Sequence, residues 1–380
     1  MTASSTSLTP TVEAALGALD RALPGLVGTL QEFPLQELES EGNPGIPAFK
    51  DARGPGLLIP MEHGGQGLKA REAVNVQLAL GFLAPSTAVG ITMHQFTAVT
   101  FVELLAARPG MEWVVVEAVA TQNLLVASGF AEGNPGGKVL SPSMSLTPDG
   151  PSFRLNGQKK PCSLSKSMDM ITVSVVVPGE TDEFGIVLLG KETPGLSVEP
   201  FWSSSVLAGA ETGSVRFDEV SVPKAAVSYV AGDESLDRTQ RRGYLWFELC
   251  MTSSYVGIAS RLVAEASERA APHDLLSMVG ELEASVAILD HIARRIDEGD
   301  SSDDLLARAL TCRYSIERAI QRVTDIGMEL VGVQALASDD ALTNLVVASR
   351  ALAYHPPSRR RSEGSLVAYY KGGGLHLEDT

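Results

Sequence analysis

Between residues 11 and about 119 the apolar positions recur at intervals of three and four, in segments interrupted by GNPGIP, RGPGLLIP and EHGGQG. That spacing predicts helices joined by Gly/Pro turns. From 123 to 230 the pattern changes. LLVASGF, SFRLNG, MDMITVSVVV, FGIVLLG and GSVRFDEVSVP are short β-rich runs separated by turn strings such as NPGG, TPDG and TPG, and they predict an antiparallel β-domain of roughly a hundred residues. Helical spacing returns from Tyr244. In 281–296 the apolar residues Leu282, Val286, Leu289, Ala293 and Ile296 are spaced by four, three, four and three. A longer stripe follows through Leu305, Ala309, Cys312, Ile316, Ala319, Val323, Ile326 and Leu330, the pattern of a bundle helix packed along its whole length. The charged string GDESLDRTQRR (232–242) reads as a link between sheet and bundle, and 337–340 as a break between the last helices. The expected class is α+β: a helical domain (1–121), a central antiparallel β-domain (122–230) and a C-terminal helical bundle (231–380), assembled as a homodimer or homotetramer through bundle faces.

Composition narrows the function classes. At 380 residues and 44% apolar the chain can bury a large interior, which excludes a disordered or fibrous protein. A net charge of −16 repels a phosphate backbone, so no nucleic-acid partner is expected. Cys162, Cys250 and Cys312 lie far apart, giving neither a disulfide framework nor a zinc knuckle. The N-terminal string MTASSTSLTPTVEAALGALD has no basic segment followed by an apolar one, and no run approaches ~18 uninterrupted apolar residues. The expectation is a cytoplasmic protein with no membrane partner.

Familiar catalytic strings are absent. The six histidines form no H-x-x-x-H pair, so no metal site is expected. There is no G-x-S-x-G elbow and no phosphate-binding G-x-x-x-x-G-K-[ST] loop. HGGQG (63–67) lacks the strand–helix–strand unit of a dinucleotide fingerprint and reads as a plain turn.

Three strings in correct order and spacing carry a resemblance that covers nearly the whole chain. LLIPMEHGGQGL (57–68), RLNGQKKPCSLS (154–165) and VRFDEVSVPKAAV (215–227) resemble the I-P-E-x-x-G-G-x-G-L turn, the L-N-G-x-K-x-W-I-T-N-G hairpin and the V-x-F-x-x-V-x-V-P segment of the acyl-CoA dehydrogenase superfamily. The resemblance implies a four-helix C-terminal bundle, bound FAD, and an acyl thioester of CoA or of an acyl carrier protein as substrate. Phe130 and Ala131 occupy the place of the family's first flavin-contacting string, and Ser163 that of its flavin-facing Thr, while Pro161 replaces the Trp. The Arg–Phe–Gly string that holds adenine has no counterpart in 267–283, and of the later Q-x-x-G-G-x-G string only Gly332 remains in register.

The catalytic carboxylate departs further. Where most members have Y-E-G-T this chain reads YHPPS (354–358). A minority place the Glu on the first bundle helix. Ungapped counting from Gly257 puts that position at Phe247, one residue before Glu248, which is therefore the candidate base. Flavin monooxygenases of the same fold resemble this chain in carrying a histidine where the dehydrogenase Glu would be. His355 and His94 are the candidates for that chemistry, able to donate or accept a proton near neutral pH. Arg359, Arg360 and Arg361 form the densest positive run, suited to a CoA phosphate or an acidic carrier protein. The resemblance thus implies a thioester dehydrogenase, with a flavin monooxygenase or a flavin-free, lyase-like descendant as the alternatives.

Overall fold

In a computed structural model, residues 9–107, 112–133, 142–179, 183–229 and 234–377 are described. The first helices are α1 (Pro10–Ala22), α2 (Leu26–Glu32), α3 (Leu35–Leu38), α4 (Gly45–Asp51), α5 (Ala70–Leu83), α6 (Pro85–Ala107) and α7 (Glu112–Thr121). Local chemistry sets the first boundary: the Thr9 side chain accepts from the Val12 amide, and Pro10 begins α1, where its missing N–H is of no consequence. Helix α6 is apolar on all sides and mostly buried. By length and composition it would suffice to cross a membrane; here it runs through the protein interior.

Eight strands follow: β1 (Val126–Gly129), β2 (Leu146–Asp149), β3 (Ser152–Cys162), β4 (Met170–Val177), β5 (Glu183–Gly190), β6 (Leu196–Pro200), β7 (Gly213–Pro223) and β8 (Val227–Tyr229). They form two four-stranded sheets, ordered β1-β4-β5-β8 and β2-β3-β7-β6. Between the named strands pairing is antiparallel as the sequence predicts, except that β1 and β4 run parallel, Val126 opposite Met170. After β1 the chain builds β2 and β3 in the other sheet and re-enters as β4 in the same direction. Burial follows position. Strand β4 is buried at nearly every residue, whereas most of β7 alternates, as expected of strands covered on two faces and on one.

The second helical set is α8 (Glu234–Ala266), α9 (Pro272–Asp297), α10 (Asp303–Ser338), α11 (Asp340–Ser349) and α12 (Arg359–Tyr370). Both stripes read from the sequence are core: Leu282, Leu289, Ala293 and Ile296 on α9, and Leu305, Ala309, Ile316, Ala319 and Val323 on α10, are buried. Asp339 separates α10 from α11 and caps the latter by accepting from the Leu342 amide. The predicted polar link needs correction, because from Glu234 onward it is helix α8. Its charges are used in tertiary pairs: Arg241 with Asp303 and Arg242 with Glu103.

Close backbone approach locks α8 onto α5. A Cβ at Gly81 would lie 2.1 Å from the Ser254 carbonyl oxygen, and one at Gly257 the same distance from that of Leu78. The HGGQG segment is a turn, as read. A Cβ on Gly65 would meet the Ile59 carbonyl at 2.1 Å, so the tight turn requires glycine there.

Candidate active site

A cavity of about 270 Å³ lies where α6, α8, both sheets and the 351–356 segment meet, near the lower end of the ~300–1,000 Å³ usual for small-molecule sites. One wall comes from α6 (Val89, Met93, Phe96, Thr100) and α8 (Gln240, Gly243, Tyr244, Phe247, Tyr255). The sheets contribute Ser128, Phe130, Ala131, Pro161, Ser163, Phe184 and Ile186, and the 202–212 connection adds Trp202, Leu207, Ala210 and Thr212. Phe96 and Phe247 meet edge to face, with centroids 5.3 Å apart and planes at 81°. Two polar pairs interrupt the apolar lining. The Ser163 and Thr212 hydroxyls are 3.0 Å apart, and the Tyr255 hydroxyl is 2.8 Å from His355 Nε2. Among the described residues no Asp, Glu, Lys or Arg lines the cavity.

The structure brings together four of the residues singled out in the sequence. Phe130, Ala131, Ser163 and His355 all line the cavity, His355 between Tyr354 and Pro356, which line it as well. Glu248 does not. The helical step of about 100° per residue turns Phe247 into the cavity and Glu248 away from it, 2% exposed and bonded through both carboxylate oxygens to Arg313 Nη1 at 3.0 Å.

The expectation for His94 is corrected too. It is wholly buried outside the cavity; Nε2 lies 2.9 Å from the Pro55 carbonyl, and Nδ1 accepts from the Val126 amide at 3.1 Å. Both ring nitrogens are used in tying α6 to β1, and burial lowers its pKa to about 4. Gly332 lies outside the cavity, where its φ of 78° kinks α10. Arg359, Arg360 and Arg361 open α12 as an exposed surface turn, not a cavity wall.

Behind the His355 wall, Arg313 is 1% exposed and gathers the chain around it. Its Nη2 donates to the carbonyls of Leu352 (2.9 Å) and His355 (2.6 Å), Nη1 donates to that of Pro356 (3.3 Å), and Nε lies 3.3 Å from Glu317. Burial raises the Glu248 carboxyl above the usual range while Arg313 draws it back. Burial, with the Arg313 charge added, pushes His355 down to about 3. The expectation that this histidine titrates near neutrality is therefore not met. Burial also raises Tyr255 above an ordinary phenol, so the Tyr255–His355 pair is neutral across the working pH range.

A second ion pair braces the opposite wall. Lys159, fully buried, donates to Glu132 at 2.8 Å and to Ser174 at 3.1 Å. Glu132 also receives the Ser143 and Met144 amides. Burial would raise its pKa, but Lys159 and those donors outweigh it and hold it at about 2.

Sequence reasoning missed Tyr255, Thr212 and Arg313. Arg313 did leave a signal: with Glu317 it sits in a second helical stripe with Leu306, Leu310 and Ile320, all three buried, where a solvated charge has no place.

No family-level sequence profile matches the chain. It is 38% identical over 375 residues to isobutylamine N-hydroxylase of Streptomyces viridifaciens, across 96% of this chain and 99% of that one. It is 22% identical over 339 residues to the putative acyl-CoA dehydrogenase YdbM of Bacillus subtilis, across 82% and 85%. Its fold matches that of FMN-bound TdsC, a dibenzothiophene monooxygenase of Paenibacillus sp. A11-2, with a TM-score of 0.77 at 17% identity over 97% of this chain and 99% of that one.

Proposed function

This chain belongs to the acyl-CoA dehydrogenase superfamily, and from that premise we propose that it is a flavin-dependent monooxygenase acting on the nitrogen of a small aliphatic amine. The observation that carries the reading is the cavity's chemistry: a neutral Tyr255–His355 pair and no carboxylate among its described walls. The likeness to an amine N-hydroxylase over almost the full length of both chains supports it.

The cavity fits a flavin. Phe130, Ala131 and Pro161 offer apolar surface for a flat ring, and the Ser163–Thr212 hydroxyl pair offers hydrogen bonds for its polar edge. FAD is what the sequence resemblance implies; FMN, which TdsC holds, suits a chain whose adenine-binding strings are missing. When bound in reduced form, the flavin supplies the two electrons with which one atom of O₂ enters an N–H bond while the other leaves as water.

The chain's own residues supply the rest. Phe96, Tyr244 and Phe247 pack the alkyl group and exclude water from it. Tyr255 and His355 present a fixed hydrogen-bonding edge that orients the amine nitrogen. Arg313 holds that edge in place by binding the carbonyls on either side of the His355 ring.

A thioester dehydrogenase would share the fold and the flavin, but it needs a base to remove the α-proton. Glu248, the carboxylate expected to do so, faces Arg313 instead. Oxygen decides between the two readings. With reduced flavin supplied, a small primary amine should yield a hydroxylamine and consume O₂. Anaerobic bleaching of bound flavin by an acyl thioester, with no amine product under air, would overturn the proposal. We further propose a homodimer or homotetramer, checked by light scattering of the eluting protein.

A further inference from the structure

We propose that this site selects its amine as the neutral free base and excludes the ammonium form. The inference rests on the amine-oxygenase reading above and adds the protonation state in which the substrate is taken.

The described walls carry no Asp, Glu, Lys or Arg, and charged groups behind them are held by other partners. Behind His355, Arg313 holds Glu248 and Glu317. Beside Thr100 and Gly243, Arg242 is paired with Glu103. Behind Ser128 and Ala131, Lys159 is paired with Glu132. On the α6 side, Glu39 accepts from the amide and hydroxyl of Ser86, and near Thr212, Glu211 accepts from the amide and hydroxyl of Ser167. The described walls thus offer an ammonium ion no counter-charge, and an unpaired cation is strongly disfavoured in an apolar cavity. Tyr255 and His355 can exchange hydrogen bonds with a neutral amine, which brings both a donor and an acceptor. The free base is also the only form with a nitrogen lone pair available for oxidation, so the cavity admits the reactive species.

An alkylammonium has a pKa close to the ~10.4 of a lysine side chain, so only about one molecule in a thousand is free base near neutral pH. Affinity expressed on total amine should therefore rise about tenfold for each pH unit until the amine's own pKa is approached.

The test is calorimetric titration of isobutylamine into protein loaded with oxidised FMN, near neutral pH, in buffers of different ionisation enthalpy. Release of one proton per amine bound is expected. Isobutanol, neutral and of the same shape, should bind without proton release, and isobutyltrimethylammonium should not bind. Amine binding with no proton release, or binding of the quaternary cation, would overturn the proposal. So would failure of both the amine and the alcohol to bind. Proton-coupled binding without any oxygenated product in a separate aerobic assay would leave this inference standing and remove the oxygenase reading.

Discussion

On one side of His355 lies a cavity whose described walls carry no ionised side chain; on the other lies Arg313, 1% exposed, with Glu248 at 2% and Glu317 beside it. The two regions adjoin, and they differ in what their polar groups are for. Behind the wall, Arg313 is held by hydrogen bonds to Glu248 and to the carbonyls of Leu352, His355 and Pro356, the condition under which a buried ion pair is tolerated. The cavity keeps only neutral polar groups and so leaves recognition to shape and to uncharged hydrogen bonds. The difference teaches that a carboxylate near an active site is not thereby part of its chemistry: Glu248 balances Arg313, and Arg313 shapes the wall.

The contrast breaks first at Arg313. Arg313→Met strands the buried Glu248 and the half-buried Glu317 and should cost about 3–5 kcal/mol of stability, read from urea unfolding. Adding Glu248→Gln to that variant should recover part of the loss. A cost for Arg313→Met within experimental error of zero would mean the network is not structural. On the cavity side, Tyr255→Phe removes one neutral hydrogen bond at the edge that orients the amine. It should lower kcat/KM by about tenfold, the ~1–1.5 kcal/mol of one such bond, with the fold retained.

Glu248→Gln tests the division of labour directly. Turnover should stay within about threefold of the parent, while stability falls by about 1–3 kcal/mol as the pair is weakened. A catalytic base at this position would instead show a loss of ~10²–10⁴ in turnover.

The smallest expected effect is a missing one. Burial and Arg313 hold His355 at about 3, far below the 6.5 of a free histidine, so His355 stays neutral as pH falls through the usual histidine range. Activity should fall smoothly on acidification as the amine itself is protonated. A separate inflection near ~6.5 that disappears in His355→Gln would place a titrating histidine in the mechanism.

Much of the fold was legible because it rests on periodicities that survive in one dimension. The α9 and α10 stripes, the 339 break and the β-rich middle all correspond to packed elements. The parallel β1–β4 pair was not legible, since strand direction depends on the path between sheets. Within the site, Phe130, Ala131, Ser163 and His355 were found because their strings keep family spacing. The count from Gly257 pointed to Phe247, and Phe247 does line the cavity; preferring the neighbouring carboxylate moved the expectation to the wrong side of the helix. His94 had no local mark to separate it from a reactive histidine, because its partners, Pro55 and Val126, come from distant segments. Arg313 is the reverse case, a charge inside an apolar stripe that a second reading of the 306–320 spacing would have flagged.

The central claim is that the uncharged cavity directs oxygen from O₂ onto a neutral amine. It is tested most directly by supplying isotopically heavy O₂ and reduced flavin with isobutylamine, then weighing the product by mass spectrometry. The account predicts a hydroxylamine carrying one heavy oxygen atom. An unlabelled product, or an amine recovered unchanged while an acyl thioester is oxidised, would contradict it.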